Sequence, residues 1–211
     1  MKIIKTFIGR HKTIKVLHRL FESIFQLPQE GNLESVTKKF EQKFLSENSC
    51  ATLDIGCGSN PKNPFNAKKI YGIDIRENLE LGIKYADLTV DNIPFEDKFF
   101  DYITAYDFLE HVPRVIYLPT RRFPFVELMN EIWRTLKPNG IFLSYTPCYP
   151  FPAAFQDPTH VNILTHETLS LYFDDKVQWA KMYGFKGSFK ILHQALVGDH
   201  LVSVLQKCND H

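Results

Sequence analysis

The feature that most constrains this chain is an apolar run that ends abruptly in two closely spaced glycines, within residues 51–61. The run itself, Ala51–Ile55, is short and is bounded by turn-forming residues, which is typical of a buried strand. Gly56 and Gly58 follow it, and glycine adopts positive φ and lets a ligand approach the backbone without a Cβ in the way. These residues therefore predict a strand that leads into a ligand-cradling turn.

A second apolar run also carries an acidic residue near its end. It spans residues 69–75, and its Asp74 lies twenty residues after Asp54 of the first run. A carboxylate at the end of such a strand can accept hydrogen bonds from both hydroxyls of a ribose. A dinucleotide-binding turn would have its third glycine where this chain has Pro61, so the spacing disfavours a nicotinamide-binding module.

Five segments, in order along the chain, resemble the motifs of the class I S-adenosylmethionine (SAM) methyltransferases and cover about residues 50–146. They are residues 53–58, 69–75, 83–88, 99–112 and 136–144. The resemblance implies an α/β fold with a Rossmann-like, seven-stranded sheet that is mostly parallel, has an antiparallel last strand and carries helices on both faces. Strand-forming runs on either side of Gly198 and Asp199 predict the hairpin that supplies this last strand. The implied cofactor is SAM.

The resemblance also implies which residues bind the cofactor. The glycine turn would pass under the methionine part of SAM, with Asp54 near its amino group. Asp74 would accept the ribose hydroxyls, while Asp87 and Leu88 would flank the adenine ring. The full set implied in this way is Asp54, Gly56, Cys57, Gly58, Asn60, Asp74, Ile75, Asp87, Leu88, Tyr106 and Asp107.

Residues 61–68 depart from the commoner pattern of the family. They contain two prolines and two asparagines, which leaves room for little or no helix after the glycine turn. The same shortening occurs in a compact subgroup whose members are mostly linked to bacterial surface polysaccharides. The resemblance to that subgroup implies a sugar or surface-glycan precursor as the methyl acceptor.

Two long, aromatic-rich connections are expected to hold the acceptor. They span residues 110–124 and 146–162 and follow the predicted fourth and fifth strands. In open α/β sheets ligands bind at the carboxyl ends of the strands, and connections of this length usually serve a function. Residues 157–161, followed by 165–169, resemble a signature of bacterial sugar and polysaccharide methyltransferases, in which Thr165 would cap the next helix.

His111, His160 and Asp157 are the candidate catalytic residues. The sulfonium of SAM already activates the methyl group, so transfer mainly requires alignment of the reacting atoms. A hydroxyl acceptor must still lose a proton, and a histidine with a pKa of about 6.5 suits that step. The alternative interpretation is structural, with an Asx-type turn at Asp157 and two histidines that hold the connections closed.

Asp107, Glu110 and His111 are similar to a cluster that binds a divalent cation in some quinone-biosynthesis O-methyltransferases. Helical spacing would place all three side chains on one face. A structural ion pair is the commoner reason for such a cluster, so we predict no metal.

Charge and cysteine content limit the kinds of partner that the chain is expected to bind and the cellular compartment in which it is expected to lie. Lys plus Arg number 25 against 24 for Asp plus Glu, so the chain has no basic field that would favour nucleic acid. The four cysteines lack metal-ligand spacing, which indicates reduced thiols and a cytoplasmic location. A length of 211 residues suits one α/β domain.

Basic and apolar residues recur at helical spacing near the start of the chain. They predict an amphipathic cap helix within residues 1–32, followed by the methyltransferase domain at 33–211. Packing of this helix across the domain is the favoured interpretation. Peripheral contact with an anionic membrane through residues 1–27 is the alternative.

Two other functions stay open at this stage. The chain could be a small-molecule or quinone-type O-methyltransferase, or a SAM-binding subunit that has no catalytic activity. The sequence leaves the oligomeric state open.

Overall fold

The chain folds around one seven-stranded sheet. The fold comes from a computed structural model, which describes residues 27–41 and 50–208; most of the predicted amphipathic helix lies outside these residues. The strands are β1 Ala51–Ile55, β2 Lys69–Asp74, β3 Ile83–Tyr85, β4 Phe100–Tyr106, β5 Leu136–Pro147, β6 Phe189–Val197 and β7 His200–Lys207.

The strand order is β3-β2-β1-β4-β5-β7-β6. Strands β1 to β5 pair in parallel with their neighbours, whereas β7 is antiparallel to both β5 and β6. Strands β6 and β7 are joined at Gly198 and Asp199, so the predicted hairpin is confirmed. The predicted mostly parallel sheet with an antiparallel last strand is confirmed as well.

Four α-helices lie in the described part of the chain: α1 Leu33–Phe40, α2 Pro124–Thr135, α3 Ala153–Gln156 and α4 His166–Tyr172. Helix α1 begins where the Asn32 side chain accepts a hydrogen bond from the Ser35 amide at 2.8 Å. Thr165 caps helix α4, as predicted, and the Thr165 amide donates to the Thr168 hydroxyl at 2.9 Å. No helix of the described residues is both long and apolar enough to cross a membrane.

Helices cover both faces of the sheet, as predicted. On one face, α2 and α4 bury apolar side chains such as Met129 and Leu169 against Ile103 of β4. On the other face, Val36 of α1 packs with Tyr102 of β4. Alternate side chains along β4 therefore belong to two separate hydrophobic layers, one on each face of the sheet.

The connection between β1 and β2 contains no helix, which confirms the prediction from its prolines and asparagines. The Asn63 side chain shapes it instead, by accepting from the Ala67 amide and donating to the Ala67 carbonyl, each at 2.9 Å. Phe65 then stacks on Tyr102 with 4.3 Å between ring centroids. A single buried aromatic ring thus covers the part of the sheet that a crossover helix would cover.

Residues 28–30 lie against the edge strand β6. The Leu196 amide donates to the Pro28 carbonyl, and the Glu30 amide donates to the Leu196 carbonyl, each at 2.9 Å. This short parallel bridge attaches the segment before α1 to the sheet, a contact that no local sequence pattern predicts.

Candidate active site

The glycine turn after β1 is built as predicted, with both glycines in the left-handed region. Gly56 has a φ of 66° and Gly58 a φ of 62°. A Cβ at Gly56 would lie 2.2 Å from the ring of Phe108, whereas a Cβ at Gly58 would meet nothing within 4 Å. The turn therefore packs against the residue that follows β4 on one side and opens into free space on the other.

Asp74 ends β2 beside this turn. Its carboxylate accepts from the Gly58 amide at 2.9 Å and from the Arg76 amide and guanidinium at 3.0 and 2.9 Å. Burial opposes the charge, but these hydrogen bonds hold the pKa of Asp74 below its ordinary value. The adjacent Ile75 is 63% exposed. The charged Asp74 and the exposed apolar Ile75 thus lie together at the edge of the sheet where the ribose and adenine of SAM are expected.

Asp54 has a different environment. It is 1% exposed, and its two oxygens accept from the Thr104 hydroxyl at 2.6 Å and from the Lys62 amide at 2.8 Å. Burial raises the pKa of Asp54. The carboxylate therefore braces the loop after the glycine turn against β4, and its contact with the amino group of SAM stays a prediction.

The other residues implied for the cofactor have mixed surroundings. Asp87 accepts from the Thr89 amide at 3.0 Å and so closes a turn after β3. Leu88 is buried in the core, while Asn60 is exposed. Burial, aided by the charges of nearby carboxylates, raises the pKa of Cys57 to about 11, so its thiol is protonated at neutral pH. Their roles in cofactor binding stay predictions.

Tyr106 and Asp107 end β4 at the same edge. The Tyr106 ring lies under the Lys62 ammonium at 4.2 Å, which is a cation–π contact. Asp107 has a φ of 48°, unusual for a residue with a Cβ, and this turns the chain out of the sheet. Its carboxylate contacts Nε2 of His200 at 3.0 Å. The predicted shared face of Asp107, Glu110 and His111 is therefore wrong for Asp107, because that side chain is drawn toward β7.

The three predicted catalytic residues lie together. The rings of His111 and His160 meet edge to face with 4.8 Å between centroids. The Thr159 hydroxyl lies 3.0 Å from Nδ1 of His111 and 2.6 Å from Oδ1 of Asp157. Two connections that are far apart in the sequence thus place two imidazoles and a carboxylate at one site.

Backbone and side-chain contacts hold these two connections closed. The Glu110 carbonyl accepts from the amides of Val161 and Asn162, each at 2.9 Å. The fully buried Asn162 side chain donates to the Leu109 carbonyl at 3.0 Å and accepts from the Arg114 guanidinium at 2.6 Å. These contacts hold the two connections together, and His111 lies three residues beyond Phe108, the residue that packs on the glycine turn.

Sequence reasoning missed several residues of this site. A Cβ at Gly72 of β2 would lie 2.6 Å from the Cys57 sulfur and 2.8 Å from Pro61, so this glycine lets the turn pack on β2. Thr159 lies inside the recognised signature, and its hydroxyl could have been assigned from that position. Thr104 and Phe108 had no local signal, because their partners Asp54 and Gly56 are about fifty residues away in the sequence.

A cavity of about 260 Å³ lies beyond the first long connection, between that connection, α2 and α4. Its lining is mostly aromatic and aliphatic, and Arg114 and Thr168 supply polar groups. The remaining lining residues are Val115, Phe123, Phe125, Val126, Tyr172, Phe173 and Tyr183.

Comparison with known proteins agrees with this geometry. Residues 53–144 match a family model described as a methyltransferase domain, and this segment contains the glycine turn, Asp74 and His111. The match covers less than half of the chain. No curated protein sequence matches the chain.

Solved structures with the same fold are numerous. The YcgJ protein of Bacillus subtilis is 12% identical with a TM-score of 0.56, and the alignment covers 84% of this chain and 98% of that one. A methyltransferase of Bacillus halodurans, described as putative, is 15% identical with a TM-score of 0.54, covering 84% and 99%. The [4+2]-cyclase SpnF is 15% identical with a TM-score of 0.53, covering 94% and 95%. At these identities the likeness shows the fold alone.

The sheet order and the glycine turn are those of the class I methyltransferase fold, and the domain matched over residues 53–144 is a methyltransferase domain; together they support a SAM-dependent methyltransferase. The enzyme uses SAM as its cofactor. The residues present fit this molecule, because the free space beside Gly58 admits a ligand and Asp74 offers a charged acceptor beside it.

Proposed function

We propose that the protein methylates a hydroxyl group of a sugar or surface-glycan precursor, as a step of polysaccharide biosynthesis in the cytoplasm. The observation that carries the proposal is the cluster of His111, His160 and Asp157, whose His111 follows three residues after Phe108, the residue that packs on the glycine turn. The signature over residues 157–161 supports a sugar as the acceptor.

The hydrogen bonds of the cluster indicate which of its atoms donate a proton and which accept one. The Thr159 hydrogen bonds lower the pKa of Asp157, so this carboxylate is charged and only accepts. Thr159 then donates to Asp157, and its oxygen accepts from Nδ1–H of His111. The other ring nitrogen of His111 keeps its lone pair. It is available to the acceptor hydroxyl or to a group that binds that hydroxyl.

The reaction follows from this arrangement. The acceptor oxygen forms a bond to the methyl carbon, the carbon–sulfur bond breaks, and its electron pair stays on sulfur. The hydroxyl proton is lost at the cluster of His111 and His160. Bound SAM supplies the activated methyl group, and the chain supplies alignment and the site of proton loss.

A second candidate function rests on the cavity of about 260 Å³. Its mostly apolar, aromatic lining suits the ring or the isoprenoid part of a small hydrophobic acceptor better than a polar sugar. A small-molecule or quinone-type O-methyltransferase is therefore the alternative.

The test is a transfer assay with SAM that carries a deuterated methyl group. The purified protein is incubated with nucleotide sugars, a cell glycan extract and a hydroquinone, and mass spectrometry then locates the label. Label on a glycan hydroxyl supports the proposal, and label on the hydroquinone supports the alternative. SAM binding without transfer to any acceptor would contradict both and favour a SAM-binding subunit without catalysis.

A further inference from the structure

The side chains of Glu110, His111 and His160 converge at one point. One carboxylate oxygen and one nitrogen of each ring lie within 4.8 Å of one another. Glu110 is 1% exposed, and its Oε2 accepts from the Thr146 hydroxyl at 2.6 Å. Its Oε1 is buried without a hydrogen-bond partner among the described residues. A buried acceptor without a partner costs about 1–3 kcal/mol, so it is normally matched by a donor or an ion.

The two histidines present lone pairs to the same point. Nδ1 of His111 faces the Thr159 hydroxyl, and Nδ1 of His160 lies 3.4 Å from the Ala154 carbonyl, which can only accept. Each Nδ1 can therefore donate to these oxygens, which leaves Nε2 as the nitrogen that can bind a metal; Nε2 of His160 lies 4.0 Å from Oδ2 of Asp157. This is the way in which metal-binding histidines are commonly oriented, by a hydrogen bond from the nitrogen that does not bind the metal.

We propose that Glu110, His111 and His160 bind one divalent first-row transition-metal ion, such as Mn²⁺, which in turn binds the acceptor hydroxyl. Two imidazoles and one carboxylate suit such an ion better than Ca²⁺ or Mg²⁺, which prefer oxygen ligands alone. This revises the sequence interpretation, in which Asp107 belonged to the cluster and no metal was expected. His160, on the second connection, takes the position that Asp107 leaves.

The distances require only a small closure. Neighbouring ligands on such an ion are about 3–3.5 Å apart, since each bond is about 2.0–2.2 Å long. The three ligand atoms, which lie within 4.8 Å of one another, therefore have to move closer by about an ångström or more when the ion binds. The bonds that hold the two connections closed are made by Val161 and Asn162, whereas the His160 ring has one long contact of 3.4 Å to the Ala154 carbonyl, so a rotation of this ring toward Glu110 leaves those bonds intact.

The ion would serve the proposed transfer, on which this part of the inference rests. With the ion bound, the two imidazoles are ligands and do not act as bases; the cation lowers the pKa of the bound hydroxyl, whose proton is released to solvent at this cluster. Three protein ligands leave open positions for the acceptor oxygen. Asp157 then acts as a positioning residue, because it bonds to Thr159, which contacts His111, and its other oxygen lies 4.0 Å from Nε2 of His160.

The test measures metal binding by the full chain, without SAM or acceptor. The protein is treated with a chelator, dialysed and titrated with Mn²⁺, and free Mn²⁺ is followed by its electron paramagnetic resonance signal. We expect one equivalent to bind to the wild type. Glu110→Gln and His160→Ala should weaken binding by about 100-fold or more, because each removes a ligand. His166→Ala, a half-buried histidine of α4 outside the cluster, is the matched control and should bind as the wild type does.

Two results would overturn the inference: a wild type that binds no Mn²⁺, or folded His160→Ala protein that binds it unchanged. Circular dichroism establishes folding, and the His160 variant decides the matter if Glu110→Gln does not fold. The outcome is separate from that of the transfer assay. Metal binding without methyl transfer would support this metal site and contradict the proposed function. Methyl transfer without metal binding would support the proposed function and contradict the metal site.

Discussion

Asp54 and Asp74 each lie near the end of a parallel strand at one edge of the sheet, but their surroundings suit them to different roles. Asp54 is enclosed and has both oxygens occupied by Thr104 and Lys62. Asp74 is also buried, at 7% exposure, and both its oxygens accept hydrogen bonds, but its Oδ1 is held by Arg76, whose side chain is 77% exposed. A shift of this exposed side chain would open Oδ1 to a ligand hydroxyl, whereas the partners of Asp54 are a buried hydroxyl and a backbone amide. At the scale of single residues, Asp74 is therefore the better candidate for a direct contact with SAM.

Asp74→Ala should weaken SAM binding by about 2–4 kcal/mol, because it removes charge-assisted hydrogen bonds to the ribose. Isothermal titration calorimetry measures the change, with the exposed Glu96→Ala as a control that should bind SAM normally. An unchanged dissociation constant for Asp74→Ala would remove Asp74 from the cofactor site.

Thr104→Val should lower the free energy of unfolding by about 1–3 kcal/mol, since it leaves the buried Asp54 carboxylate without one hydrogen bond. The matched control is Thr52→Val in the neighbouring strand β1. The Thr52 hydroxyl is equally buried but has no partner among the described residues, so that change should cost little or stabilise the protein. Urea unfolding of both variants compares them, and equal losses would show that the bond to Asp54 contributes nothing.

At the scale of elements, the glycine turn is held between two neighbours. Gly72 of β2 leaves room for Cys57 on one side, and Phe108 after β4 lies against Gly56 on the other. The two glycines of the turn therefore serve different needs. Gly56 provides both positive φ and space, whereas Gly58 provides positive φ and an open side for the ligand.

Gly56→Ala should destabilise the protein more than Gly58→Ala does, because only the first brings a Cβ to 2.2 Å from the Phe108 ring. The left-handed backbone alone costs about 1–2 kcal/mol in either variant. Thermal unfolding ranks the two, and adding Phe108→Ala should recover part of the loss in Gly56→Ala alone. Equal unfolding temperatures for the two single variants would contradict the close packing of Phe108.

The elements differ in how far the sequence predicts them. The glycine turn, the hairpin and the start of α4 rest on local signals, since glycine, turn residues and capping residues act within a few positions. The pairing of Asp107 with His200 joins residues 93 apart, and no periodicity reports such a contact. The same holds for the convergence of Glu110 and His160, which depends on how two connections fold over the sheet edge. The fold was therefore predictable to the level of a seven-stranded, mostly parallel sheet with an antiparallel last strand, while the site was predictable only as a set of separate residues.

At the scale of the whole molecule, His200 ties the ends of three central strands together. Burial alone would lower its pKa, but the hydrogen bonds and charges of Asp107 and Asp199 outweigh it, and the pKa of His200 is raised above 6.5. Its ring also stacks on Tyr145 of β5 with 4.4 Å between centroids. The protonated ring thus links β4, β5 and β7.

A histidine whose pKa is raised by folding stabilises the folded state when it is protonated. This stabilisation is fully present below about pH 6.5, the unfolded value, and is lost as the pH rises through the higher folded value. Wild type should therefore exceed His200→Gln in free energy of unfolding most clearly at acidic pH, with the difference shrinking above neutrality. Urea unfolding from pH 5.5 to pH 9 tests this, and a pH-independent difference would mean that the His200 contribution is not ionic.

The bridge between residues 28–30 and Leu196 has a consequence for how the protein meets other chains. A sheet exposes unpaired amide and carbonyl groups along its two outer strands, and these attract strands of other molecules. Here one outer strand, β3, has only three residues, and the other, β6, is bridged near both of its ends by the chain's own backbone, at Phe189 and at Leu196. Both borders are thereby poor templates for intermolecular strand addition, so the sheet carries its own protection against edge-to-edge aggregation.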